Sequence, residues 1–297
     1  MTLPRVLIAS PVRYRPECPE VLPAFLEALA ALDWPKDRVE YWFAIHYEND
    51  GGETVWNDIQ RVFREVHEHA AGFSLGSRPD SRLITGPRRK GEVQENIAFL
   101  RNKILRRFDE SECSLLLMVD SDVVLDPQAL RAMYTALAWN SSPDPLAWVK
   151  DPSGDLILQE GAGSGEWEPC TVSLQILNTP WIGGPPTGNA LIRHEDPDHV
   201  RHGWASVPWA EDGSVVEVDR CGACTLYPRE VLRFRFHWQP GFDEEHQSLF
   251  DQCKATGWRH YLIRDPKLAD HRMKRDPSIE DAMARLKAEK VERERNG

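Results

Sequence analysis

Residues 114–127 read Ser-Leu-Leu-Leu-Met-Val-Asp-Ser-Asp-Val-Val-Leu-Asp-Pro. This is an apolar strand that runs straight into Asp120 and Asp122, with a helix start expected almost at once. Side chains two apart on a strand share a face, so both carboxylates are expected at one exposed spot at the strand's carboxyl end. In open α/β sheets that edge is where ligands bind. Two hard oxygen donors there suit Mg²⁺ or Mn²⁺, with water and substrate phosphates filling the other positions. A solvated strand end is the plain alternative. Asp196-Pro-Asp198 shares the spacing but has no apolar strand before it and a proline inside, and it reads as loop.

The elements around this strand set the fold class. Residues 5–10, Arg-Val-Leu-Ile-Ala-Ser, form a short buried strand, and Pro11-Val12-Arg13 begins the loop after it. Leu22, Phe25, Leu26, Leu29 and Leu32 recur at helical spacing, predicting a helix over 19–33 that Trp34-Pro35 ends. Val39 to Tyr47 is rich in β-formers. The polar, glycine-rich loop Glu48–Thr54 follows, then a helix over 54–70. Val93, Ile97, Leu100, Ile104 and Phe108 mark a further helix, and Asp126 with Pro127 caps the one after the acidic motif. Strand and helix alternate over the first 140 residues, which argues an α/β fold with a mostly parallel central sheet flanked by helices. Residues 140–215 turn rich in Gly, Pro and Trp and read as binding loops or short mixed strands. Strands return at Val215–Val218, Thr225–Tyr227 and Tyr261–Ile263, with a helix over 246–256 between the last two.

Composition narrows the function classes. The chain has 297 residues, 41% of them hydrophobic, and a net charge of −11, which does not invite nucleic acid over the whole surface. One basic stretch, Arg82 to Arg107, is either a solvated helix face or a surface for an anionic substrate. No apolar run approaches a membrane span, and the N-terminus turns charged too soon for a signal peptide, so a cytoplasmic protein with reduced cysteines is expected. Cys221-Gly-Ala-Cys224 lacks the second pair a structural zinc site needs and reads as small buried residues beside a glycine, with a thiol role as the alternative.

Several motifs occur in a telling order: Ile8–Arg13, Tyr47–Thr54, Phe99-Leu-Arg-Asn-Lys-Ile-Leu105, Met118-Val-Asp-Ser-Asp-Val123, Cys221–Val231, Gly241-Phe-Asp-Glu-Glu245 and Gly257…Asp270-His271. In that order the chain resembles the GT-A-fold glycosyltransferases of the broad family-2-like kind, with local resemblance to the fungal Golgi α-mannosyltransferases. The resemblance spans residues 5–272, with no counterpart carried over for 140–215. It implies a single GT-A domain over 1–275, with a nucleotide-sugar-binding half (1–140) and an acceptor-binding half (141–275). A charged helical tail, 276–297, follows.

The implied activity is transfer of a sugar from a nucleoside-diphosphate sugar to a hydroxyl acceptor. The acceptor, whether glycan, lipid-linked, protein or nucleic acid, is left open. Asp120, Asp122 and His271 are the implied ligands of Mn²⁺ or Mg²⁺, and Pro11, Arg13, Asp50, Arg101, Asp120 and Ser121 the implied donor contacts. Counting back from Gly257 to the family's usual Glu-Asp pair lands on Glu245 and His246. The catalytic base then falls to Glu245 or Glu244, or to His246, or the reaction is of the retaining type that needs none there. Trp181, Trp204 and Trp209 are candidates for a sugar platform. The rival enzyme, a sugar-1-phosphate nucleotidyltransferase, calls for a glycine-rich loop after the first strand, and Ser10–Arg15 has no glycine. A non-catalytic, metal-dependent carbohydrate- or nucleic-acid-binding module would leave the ordered acidic and histidine motifs without a purpose.

Overall fold

The computed structural model of the protein describes residues 3–13, 19–46, 55, 57–62, 90–141, 148–150, 156–158, 169–178, 187–193, 204–208, 212–237 and 246–271. Strands β1 (Val6–Arg13), β2 (Val39–His46) and β3 (Leu115–Val119) lie parallel in the order β3-β1-β2. Helix α1 (Val21–Ala31) joins the first two, and α2 (Lys90–Glu110) leads into the third. A short strand, β4 (Val123–Leu125), follows the acidic motif before α3 (Ala129–Ser141). The sequence reading passed over β4, because three residues ahead of Asp126-Pro127 look like the approach to a helix cap. The cap itself is present: the Gln128 N–H donates to Asp126 Oδ1 at 2.8 Å.

The second half adds short strands: β5 (Trp148–Lys150), β6 (Leu156–Leu158), β7 (Cys170–Leu174), β8 (Leu177–Asn178), β9 (Thr187–Arg193), β10 (Trp204–Pro208) and β11 (Val215–Val218). After them come β12 (Cys224–Pro228), helix α4 (His246–Ala255), β13 (Arg259–Ile263) and β14 (Ala269–His271). The main sheet has seven strands in the order β11-β13-β7-β12-β3-β1-β2. Five run one way, and β11 and β12 run against them. Strands from both halves of the chain therefore share one sheet. The expected α/β architecture is found, and the region read as binding loops or short mixed strands supplies a strand inside the main sheet, β7.

Alternation along the strands builds two cores. Val6, Ile8, Leu117, Val119, Val172 and Leu226 bury against α1 and α3 on one face. Leu7, Ala9, Leu116, Met118 and Tyr227 bury on the other with Ile104 and Phe108 of α2 and Leu249 of α4. Helix α1 shows why this sequence forms such layers. Leu22, Phe25, Leu26 and Leu29 fall on one stripe and are buried, each contributing roughly 1.5–3 kcal/mol, while Leu32 leaves helical geometry just before Trp34-Pro35.

Strand β1 runs on through Pro11 to Arg13, where the sequence suggested a loop. Its pairing with β3 stops at Ala9 opposite Met118, whereas pairing with β2 continues to Arg13 opposite His46. Beyond Ala9 the strand has one neighbour only among these ladders, and a proline is tolerated where one side needs no N–H donor. Among the described residues no helix is long and apolar enough to cross a membrane, and the five described cysteines are free thiols.

Candidate active site

The acidic motif is a turn rather than the continuation of a strand. Strand β3 stops at Val119, and the Val123 N–H donates back to the Asp120 carbonyl at 3.1 Å. The two carboxylates therefore do not share a pleat. The Asp120 side chain is 29% exposed, whereas Asp122 is only 4% exposed and Ser121 8%. This corrects the expectation that both carboxylates are open to a cleft: a turn lets one aspartate look out and folds the other in.

Among the described residues, contacts from two sides hold the turn. From the far side of β3, the Asp120 N–H donates to the Ala223 carbonyl at 2.7 Å. Ala223 has φ of 66°, the left-handed region that costs an L-residue about 1 kcal/mol or more. It sits inside Cys221-Gly-Ala-Cys224, whose thiols are both buried and unoxidised. Burial, with Cys221 and Asp120 nearby, pushes the Cys224 thiol well above its ordinary range. The motif is thus a structural turn that backs the acidic one, as the small-buried-residue reading expected.

The second contact comes from α2. Arg101 is 4% exposed and its Nη2 donates to Asp120 Oδ1 at 2.7 Å. Its Nη1 lies 3.3 Å from the Met118 sulfur, and its guanidinium sits 5.6 Å from the centroid of the Phe236 ring. Nη2 is also 3.3 Å from Nε2 of His246, the first residue of α4. Arg101 is buried, and its guanidinium grips the acidic turn. Its neighbour Asn102 faces another segment, donating to the Phe236 carbonyl at 2.6 Å and accepting from the Phe236 N–H at 2.9 Å. The Arg-Asn motif therefore splits its work, one residue holding the acidic turn and the next clamping the chain that leads to α4.

His246 is 8% exposed, and burial, aided by the charge of Arg101, lowers its pKa to about 3. Glu244, Glu245 and Asp50 lie outside the described residues, as do Trp181 and Trp209. Pro11 and Arg13 end β1 at the carboxyl edge of the sheet, the edge on which Asp120 sits. The backbone of His271 reaches the same place: in the antiparallel ribbon of β4 and β14 its Cα stands opposite Val123, the residue after Asp122. The side chain of His271 lies outside the described residues, and among those described no group of three or more His, Cys, Asp or Glu side chains gathers to hold an ion.

The described side chains of the basic stretch, from Arg101 to Arg107, do not form one surface. Arg101 binds Asp120, Arg107 reaches Glu40 at 3.3 Å, Lys103 lies over Phe99, and Arg106 is exposed. Sequence reasoning missed Ala223 and Phe236. A non-glycine in a tight turn carries no sequence signal, and an arginine–aromatic contact far apart in sequence carries none either.

The fold has relatives among solved structures. Residues 1–349 of TarS from S. aureus, in complex with UDP-GlcNAc, match with a TM-score of 0.52 and 12% identity over 93% of this chain and 60% of that one. TarS itself matches with a TM-score of 0.51, also at 12% identity, over 91% of this chain and 37% of that one. The same 1–349 fragment bound to UDP gives a TM-score of 0.50. At this identity the likeness shows the fold. The chain spans about three-fifths of the TarS fragment. No protein-family pattern matches the sequence, and no curated protein matches it.

Proposed function

We propose that the protein is a metal-dependent glycosyltransferase that moves a sugar from a nucleoside-diphosphate sugar to a hydroxyl acceptor. The observation that carries this is the acidic turn at the carboxyl end of β3, with its outer carboxylate pinned by Arg101, in a fold shared with TarS solved with UDP-GlcNAc and with UDP. The finer likeness to the fungal Golgi α-mannosyltransferases rests on the sequence motifs alone. Residues 1–140 would bind the donor and 141–275 the acceptor.

The donor set suits Mn²⁺ or Mg²⁺. Cations of this class are bound through one or two carboxylates plus substrate phosphates and water, so Asp120 and Asp122 suffice without a closed protein cage. His271, next to the turn in register, would add an imidazole that favours Mn²⁺ over Mg²⁺. Such an ion would neutralise the charge that builds on the leaving diphosphate.

The chain's own residues supply the rest. Arg101 and the Ala223 carbonyl orient Asp120. Pro11, Arg13, Asp50 and Ser121 would line the donor. Glu245 is the first choice for the base that takes the proton from the acceptor hydroxyl, with Glu244 next, since both immediately precede the N-terminus of α4. The free thiols fit a reducing compartment such as the cytoplasm.

The decisive experiment is a panel of nucleotide sugars assayed for release of the nucleoside diphosphate with and without Mn²⁺. Mn²⁺-dependent release from one donor supports the reading. No release from any donor, with binding retained, would favour a non-catalytic module instead.

A further inference from the structure

One nitrogen of Arg101 lies between two side chains. Nη2 donates to Asp120 Oδ1 at 2.7 Å and lies 3.3 Å from His246 Nε2. Guanidinium nitrogens donate and cannot accept. Nε2 of His246 is therefore the acceptor, and the ring's hydrogen must sit on Nδ1.

A general base needs its lone pair aimed at the proton it removes. The Nε2 lone pair of His246 is aimed at Arg101, on a residue that is 8% exposed. We infer that His246 is a positioning residue and not the base: it holds Arg101, and Arg101 holds Asp120 in the orientation the donor site needs. Only the last step rests on the glycosyltransferase reading; the tautomer and the two contacts do not.

The identity of the residue matters. The aspartate that the family resemblance leads one to expect here would offer Arg101 a second carboxylate, in competition with Asp120. A neutral imidazole accepts a hydrogen bond without adding a negative charge that competes with Asp120 for the guanidinium, and the charge-assisted bond to Asp120 is about twice as strong as a neutral one. Burial keeps the ring neutral across the physiological range, with the His246 pKa held down to about 3. The Phe236 ring on the guanidinium confines Arg101 further.

Two measurements test this. In protein labelled with ¹⁵N-histidine, the ring whose signals vanish in H246Q is expected to be the neutral Nδ1–H tautomer at pH 7. An Nε2–H tautomer or an imidazolium there overturns the inference. In donor turnover, His246→Leu is expected to lose about 10–100-fold, the usual cost of removing a residue that orients a ligand. His246→Gln cannot serve as a base, but its Oε1 can replace Nε2, and it should recover most of that loss. Equal loss in both variants makes His246 a base and overturns the inference, and so does full activity in both. If the wild type consumes no donor, the functional reading falls while the tautomer still decides this one.

Discussion

The backbone N–H of Asp120 donates to the carbonyl of Ala223 across 2.7 Å, so a residue in left-handed conformation on one turn sets the position of an aspartate on another. Glycine at 223 would lose the conformational strain but gain freedom in the unfolded chain, and these effects nearly cancel at about 1 kcal/mol each. Ala223→Gly should therefore unfold in urea within about 0.5 kcal/mol of the wild type, whereas Ala223→Val, β-branched at positive φ, should lose about 2 kcal/mol or more. Equal stability of the valine variant would show that the turn is not held as described.

Arg101 and Asp120 form an ion pair whose two ends differ in exposure, at 4% and 29%. Removing Asp120 leaves a buried cation without this counter-charge. Removing Arg101 leaves a carboxylate that water can reach. Asp120→Ala should thus cost about 3 kcal/mol and Arg101→Met nearer 1–2 kcal/mol. A double-mutant cycle in urea measures both, and the reverse order would contradict the burial described.

Asp122 is buried, so its loss should be felt twice. Asp122→Ala is expected to abolish Mn²⁺-dependent binding of a nucleoside diphosphate in calorimetry and also to lower stability by about 1–3 kcal/mol. Undiminished affinity for UDP–Mn²⁺ and GDP–Mn²⁺ would remove Asp122 from the ligand set.

His260 gives a pH signature independent of the site. Its Nδ1 lies 2.8 Å from the Thr171 hydroxyl, its ring meets Phe250 edge-on, and burial lowers its pKa from 6.5 to about 4. Below pH 6.5 the unfolded chain takes up a proton that the folded one refuses. The stability present above pH 6.5 is therefore lost as pH falls towards 4, at roughly 1.4 kcal/mol per pH unit. His246 acts in the same direction, down to about 3. Melting temperatures of His260→Gln between pH 4 and 6.5 should fall less steeply than those of the wild type. An unchanged slope would refute the assignment.

What could be read from the sequence depended on contrast. Strand β3 stood out because five apolar residues precede two aspartates, and α1 because Leu22, Phe25, Leu26 and Leu29 recur at helical spacing. Strand β7 did not, because Thr171 and Ser173 alternate with apolar residues as though facing water. In fact both are buried, Thr171 against His260 and Ser173 against Thr225 at 2.7 Å. Partners from distant strands make those hydroxyls acceptable in the interior, and no local pattern announces them. The same holds for Arg101, whose helix is legible but whose burial depends on Asp120, Phe236 and His246 arriving from three other segments.

Strands β1 and β3 part company after Ala9 and Met118, and β1 goes on alongside β2 while the chain at Asp120 turns away. The edge at which the donor is proposed to sit is thus outlined by where one backbone stops pairing and another continues. An outline drawn by strand lengths survives replacement of most side chains around it. One architecture can therefore be built from nearly unrelated sequences, as the likeness of fold at 12% identity to TarS illustrates.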